Sequence, residues 1–347
     1  MITSIIIILL LTCIFAFFEE RLGKSKWYIY IGLGLLLIFL TGFRPLGMDN
    51  DAEAYEQYFL HYDTPVYEKV VEYSFRLASK WLYHIFGDVH SIFLLYAFLG
   101  ISIKFAALKK LTPLVFLALV IYMGNYFILH EFTQIRAGVA SSIMLLAIKP
   151  LGDGRRWHAL ILMLIAIFFH YSSLLMIPLL LLTNRDMTKQ QRLIWALLVP
   201  AGYVAYIMQV SITALPIPYI GDKLEIYQDL KEQGFLDEIN VFNLVFLVHI
   251  IIYLYLLYMY DLIKGHNLYF PIMIKMMGLS VFSFVALSSL PVLAFRVSEL
   301  YGIVEIILFT NIYYTVKPAW VSRCIVMFIG ITMFCINVFY NELLQII

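Results

Sequence analysis

The stretch "TGFRPLGMDNDAEAYEQYF" (Thr41–Phe59) decides the fold class. A long apolar run ends there and passes at once into an arginine and a group of carboxylates, as a membrane-spanning helix does where it reaches water. The 347-residue chain is 63% hydrophobic and only 14% charged. Soluble proteins average about 45–50% apolar and about 25% charged residues, so the sequence reads as an all-α integral membrane protein. The formal net charge of +1 says little, because the side on which each charge lies matters more than the sum.

A span needs roughly 20 apolar residues, and on that measure about twelve are expected. They fall near 2–18, 27–42, 89–107, 112–129, 132–149, 158–169, 171–183, 193–215, 241–260, 270–289, 293–316 and 320–340. The first run has no basic residue before it and no small-x-small site after it, so it reads as a retained span and not a signal peptide. Long polar linkers and internal repeats are absent, and residues 1–347 read as a single polytopic membrane domain. Cys13, Cys324 and Cys335 lie in apolar runs without a C-x-x-C pair and read as core thiols.

Sidedness follows from the basic residues. Arg21, Lys24 and Lys26; Lys104, Lys109 and Lys110; Lys149, Arg155 and Arg156; Arg185, Lys189 and Arg192; Lys264 and Lys275; and Lys317 and Arg323 occupy alternate connections. The positive-inside rule assigns these to the cytoplasm. The intervening loops, about 43–88 and 216–240, carry eight and six carboxylates and are expected outside, as are both termini. His158–Leu182 would be about 37 Å as one helix, yet both flanks are basic, so two short arms broken at "FFHYSS" fit better. Within the first loop, Val70, Val71, Phe75, Leu77, Ala78, Trp81, Leu82 and Ile85 form a helix-period stripe opposite Glu68, Lys69, Glu72, Arg76 and Lys80. That pattern predicts an outer amphipathic helix lying at the interface.

Ionisable residues at membrane depth are costly and mark candidate sites. Four places qualify: Arg44 with Asp49, Asp51 and Tyr55; Arg136 with Gln134 in "HEFTQIRAG"; His170 with Ser172; and Arg296 with Glu299 and Tyr301 in "FRVSELYG". Each has a structural alternative: a solvated loop with an internal ion pair at Arg44, snorkelling at Arg136, a hydrogen-bonded histidine at His170, and i,i+3 neutralisation of Arg296 by Glu299. Together, on the expected topology, Arg44, Arg136, His170 and Arg296 all stand at outer helix ends, facing one cavity. Three arginines on one site imply a polyanion, and the guanidinium fork suits phosphate oxygens. No P-loop, dinucleotide fingerprint or H-E-x-x-H occurs, and no large soluble domain is present to hold a nucleotide sugar.

Arg44-x-x-Gly47-x-Asp49 followed by Tyr55 and Phe59, then "FTQIRAGVA", then "HYSS", then an arginine before a late span, resemble in order the EpsG family and the Wzy-type O-antigen and exopolysaccharide polymerases. The tyrosine stands six residues after Asp49 and four after Asp51, so either carboxylate matches the pattern; Ala137 stands where relatives often have glutamine. The resemblance implies a GT-C-like helical architecture in the bacterial cytoplasmic (inner) membrane, with a periplasmic active site. It further implies a metal-independent glycosyltransferase with no cofactor, whose partners are polyprenyl (undecaprenyl) diphosphate-linked repeat units, the bilayer and a chain-length regulator protein, with no nucleic acid. The growing glycan would pass from its lipid diphosphate to the non-reducing end of an incoming lipid-linked repeat. Arg44, Arg136 and Arg296 would meet the diphosphate, and Tyr55, Gln134, Ser172, Glu299 and Tyr301 would line the substrate. His170, Asp49 and Asp51 are candidate bases, His170 first because its pKa lies near neutrality, and Arg136 joins them as the residue that stabilises departing charge. The tyrosines of the acidic loops, among them Tyr58, Tyr62, Tyr219 and Tyr227, would offer faces to sugars. A lipid-linked oligosaccharide flippase, using the same arginines, and a membrane glycan acyltransferase built on His170 stand as alternatives in that order.

Overall fold

The computed structural model describes residues 1–68, 70–209 and 239–345. Among these the chain is helical, 78% by residue and without named strands. In order the helices are α1 (Ile2–Phe17), α2 (Ser25–Gly42), α3 (Ala52–Leu60), α4 (Pro65–Glu68), α5 (Tyr73–Phe86), α6 (His90–Leu111), α7 (Val115–Asn125), α8 (Ile135–Gly152), α9 (Arg156–Phe169), α10 (Lys189–Ala196) and α11 (Leu198–Ile207). They continue with α12 (Leu244–Tyr258), α13 (Tyr260–Ile263), α14 (Phe270–Ala286), α15 (Pro291–Gly302), α16 (Glu305–Leu308) and α17 (Ala319–Cys335). Among the described residues, four segments are long and apolar enough, by length and composition, to cross a bilayer by themselves: Ser25–Gly42, His90–Leu111, Ile135–Gly152 and Ala319–Tyr340. Shorter apolar helices fall on most of the other expected spans. The protein is a membrane protein.

The chain divides into two compact units, Met1–Leu180 with Glu305–Ile347, and Leu181–Val304. In the first, α8 packs between α6 and α9, α2 lies along α6, and α7 lies against α1 and α17. The small residues Gly138, Ala140, Ser141 and Ser142 of α8 are all buried, which brings neighbouring backbones close, as small-residue faces do in membranes. In the second, α14 packs on α11, α12 and α15. There Thr188 and Gln191 close a capping box on α10, and the Asn243 side chain accepts the Phe246 N–H at the start of α12 (2.9 Å), each satisfying a helix-end donor that would otherwise lack a partner.

The break expected in His158–Leu182 is present. Helix α9 ends at Phe169, His170 is extended (φ −153°, ψ 116°), and Tyr171–Leu181 follows as a 3-10 helix. The amphipathic helix is shorter than its sequence pattern. It starts at Tyr73, with Glu72 as its extended N-terminal cap, and stops at Gly87 in the left-handed region (φ 65°), the usual glycine stop. Phe75, Ala78 and Leu82 pack into the core with Tyr55 and Tyr96, while Tyr73, Leu77, Trp81 and Ile85 form an exposed apolar stripe at four-residue spacing.

Three expectations are corrected here. Cys324 and Cys335 are exposed on their helix and are not core thiols. Lys104, grouped by sequence with a cytoplasmic cluster, is fully buried inside α6. Lys275 is also buried, its ammonium donating to the Thr183 and Arg185 carbonyls at 2.7 and 3.1 Å. The acidic loop at 216–240, with Tyr219 and Tyr227, lies almost wholly outside the described residues. The carboxyl-terminal tail lies beside the first loop: the Gln345 N–H donates to the Met48 carbonyl (2.8 Å), and Leu344 bridges Asp49.

Candidate active site

Where α2 ends, Phe43 departs from helical geometry and Gly47 takes φ +77°, so the chain turns back and carries Arg44 into the first unit. Its side chain is fully buried. Nε donates to Asp49 Oδ2 (2.8 Å), Nη1 to the Thr41 carbonyl (3.2 Å) and Nη2 to the Phe132 carbonyl (3.1 Å). The guanidinium also lies 3.7 Å from the centroid of the Phe93 ring. Arg44 therefore faces protein on every side, and the internal ion pair, not an open diphosphate contact, is what the geometry gives. Asp49 is committed to Arg44 and, through Oδ1, to the Asp51 N–H (3.1 Å).

Asp51 differs. It is half-buried, and its carboxylate accepts no hydrogen bond among the described residues. Burial raises its pKa and the nearby charge of Asp49 raises it further, with Arg136 and Arg44 pulling part of the way back. Burial raises the pKa of Asp49 as well, so what separates the two carboxylates is pairing: Asp49 is held by Arg44 and Asp51 is not.

The fourth span ends in a π-helical turn, Leu129–Thr133, and Gln134 (φ −105°, ψ 54°) interrupts the helix before α8 begins at Ile135. Arg136 thus stands in the first turn of α8. Its Nη1 pairs with Glu72 Oε2, and its guanidinium lies 5.6 Å from the Tyr55 ring and 6.0 Å from the Tyr58 ring. Nε is buried without a partner. The other oxygen of Glu72, Oε1, is 2.8 Å from His170 Nδ1 and accepts the Tyr171 N–H at 3.4 Å. One carboxylate therefore holds both the arginine of α8 and the histidine at the α9 break.

Glu72 is the residue that sequence reasoning missed. A helical wheel running from Val66 places it on the solvated face with Arg76 and Lys80; because the helix begins at Tyr73, Glu72 becomes an extended cap and turns inward, 4% exposed. Burial alone would raise its pKa, but the hydrogen bond with His170 and the charge of Arg136 outweigh that and hold the carboxyl at about 2, against an ordinary 4.5. The sign of the pH effect follows: a depressed carboxyl contributes stability that is present above pH 4.5 and is lost as pH falls from there toward 2. Melting temperatures of the native protein and Glu72→Gln should therefore differ most near neutrality and converge in that acid window; a gap unchanged down to pH 2 would remove Glu72 from this pairing.

Ser172 and Gln134 are half-buried, and their side chains make no hydrogen bond among the described residues. Ser173, one position on, is buried with its hydroxyl unpartnered. Tyr96 and Ser74 add neighbouring buried hydroxyls whose environment includes Arg136 and Glu72. Arg296 and Glu299 lie one turn apart on α15 in the second unit, both half-buried, with Tyr301 buried beyond them. Within the first unit the structure brings together Arg136, His170, Tyr55 and Glu72, with Asp51 in the field of Arg136, and sets Arg44 and Asp49 apart as a buried pair. No group of three His, Cys, Asp or Glu side chains that could hold a metal ion occurs among the described residues.

The EpsG family model matches residues 26–345, from the start of α2 to the tail beside Asp49. The chain belongs to the EpsG family. No curated protein and no solved structure matches it significantly. The EpsG match covers every residue of the Glu72 cluster, so this site lies within what the family model describes and not in an appended segment.

Proposed function

We propose that this EpsG-family protein is a polysaccharide polymerase of the bacterial cytoplasmic membrane, built as a GT-C-like glycosyltransferase with its site facing outward. The observation that carries the reading is the Glu72 carboxylate holding His170 on one oxygen and Arg136 on the other. Glycosyl transfer from a lipid diphosphate needs a base for the acceptor hydroxyl and positive charge for the departing diphosphate. Glu72 at Nδ1 fixes the orientation of the imidazole and stabilises the imidazolium that forms as the acceptor proton is taken, the role that a carboxylate beside a histidine has in hydrolases.

In the reaction, the acceptor oxygen of an incoming lipid-linked repeat forms a bond to the anomeric carbon of the growing glycan. The bond from that carbon to the diphosphate oxygen breaks, the diphosphate leaves with the electron pair, and the hydroxyl proton passes to His170. Asp51 is the second base candidate. Arg136 meets the developing phosphate charge by preorganised electrostatics, and no divalent metal is required. Tyr55 and Tyr58 flank the guanidinium with aromatic faces and hydroxyls suited to a sugar. A chain-length regulator is a further proposed partner.

A flippase is the second reading, favoured by the Lys104–Glu131 pair (2.7 Å), a buried charge pair inside the helices such as transport pathways carry. It ranks second because both side chains are sealed, 0% and 1% exposed. Purified protein in vesicles with a lipid-linked repeat unit, chelator and no nucleotide separates the two. Polymerisation yields longer lipid-linked glycans and one free lipid diphosphate per bond formed. Unchanged repeats redistributed between leaflets would establish transport, and a ladder abolished by chelator would contradict metal independence.

A further inference from the structure

Two buried cations bracket the turn that carries Arg136. Arg44 holds the Phe132 carbonyl from one side. From the other, Lys104 Nζ on α6 donates to Glu131 Oε1 (2.7 Å) and to the Gly138 carbonyl (3.0 Å). The same carbonyl receives the hydroxyls of Ser141 (2.9 Å) and Ser142 (2.6 Å), and Tyr122 donates to Glu131 Oε1 (2.8 Å). Glu131 precedes the break at Gln134 and Gly138 follows it, so the lysine ties together the two ends of the segment containing Arg136. The fit is tight: a Cβ on Gly138 would lie 2.2 Å from the His130 carbonyl oxygen, and one on Gly100 would lie 2.5 Å from Glu131 Oε2.

We propose that Lys104 is a positioning residue for glycan transfer: by clamping Glu131 and the Gly138 carbonyl, it fixes the first turn of α8 so that Arg136 meets Glu72. The inference rests on the reading of Arg136 as the residue that stabilises the departing diphosphate. Helix packing alone does not call for such a pair, since buried ion pairs can often be replaced by neutral side chains of similar volume without loss of stability. The double variant Lys104→Met/Glu131→Gln therefore should fold while losing the clamp.

The test is a thermal-stability cycle of Arg136→Ala and Glu72→Gln, measured on the full chain in lipid nanodiscs. In the native background the two melting-temperature shifts are expected to be non-additive, because the residues touch. In Lys104→Met/Glu131→Gln they should become additive, and elongation should fall at least tenfold in kcat with KM little changed. Gly100→Ala, which displaces the Glu131 carboxylate without removing a charge, should weaken the coupling and slow elongation in the same direction. Coupling undiminished from the native value in Lys104→Met/Glu131→Gln or in Gly100→Ala, or full elongation in the double variant, would overturn the proposal. Coupling lost with the clamp, while Arg136→Ala itself elongates at the native rate, would leave the clamp standing and instead overturn the role given to Arg136.

Discussion

Glu72→Gln will slow glycan elongation by about 10²–10⁴-fold, the range for a side chain that serves acid–base catalysis, with the loss in kcat. Glutamine keeps the shape of the side chain and an oxygen for His170 Nδ1–H, but it removes the charge. The imidazolium that forms as the acceptor proton is taken then has no counter-ion, and Arg136 loses its partner. Glu53→Gln is the control, because Glu53 is exposed on α3 and belongs to none of these contacts. Initial rates in lipid, with melting temperatures recorded beside them, decide the matter; a Glu72→Gln rate within threefold of the native protein would take Glu72 out of the chemistry.

Arg44→Ala should act on the fold itself. The guanidinium is wholly enclosed, and its removal leaves Asp49 as an unpaired buried carboxylate and the Thr41 and Phe132 carbonyls without its donors. Breaking a buried ion pair from one side costs about 3–5 kcal/mol, so unfolding in detergent should shift by that amount. Arg44→Lys should recover part of it, since a single ammonium cannot reproduce the fork that reaches three acceptors. A normally stable Arg44→Ala that had lost only affinity for the lipid diphosphate would instead restore direct substrate contact by Arg44.

These two residues also show where sequence reading ends. The membrane class, the end of α2, the start of α8 near Arg136 and the break at His170 were legible, because apolar run length, Gly and Pro placement and helix periodicity are local properties. Glu72 was not, because a shift in the start of one helix from Val66 to Tyr73 turns a solvated-face residue into a buried cap. Lys104 was not, because counting basic residues assigns it to the cluster with Lys109 and Lys110, whereas its partner Glu131 is 27 positions away. Its place inside the apolar run "FLGISIKFAAL" was the available signal. For Arg44, a carboxylate five positions on served equally for an open anion site and a closed pair, and only the enclosing rings of Phe93 and Phe132 separate the two.

If the Glu72, His170 and Arg136 cluster transfers glycan from a lipid diphosphate, the purified protein must release free lipid diphosphate from lipid-linked repeat units. Release in step with a lengthening product ladder is expected for the native protein, and loss of both in folded Arg136→Ala and His170→Ala. Release and elongation at native rates in either variant would contradict that role.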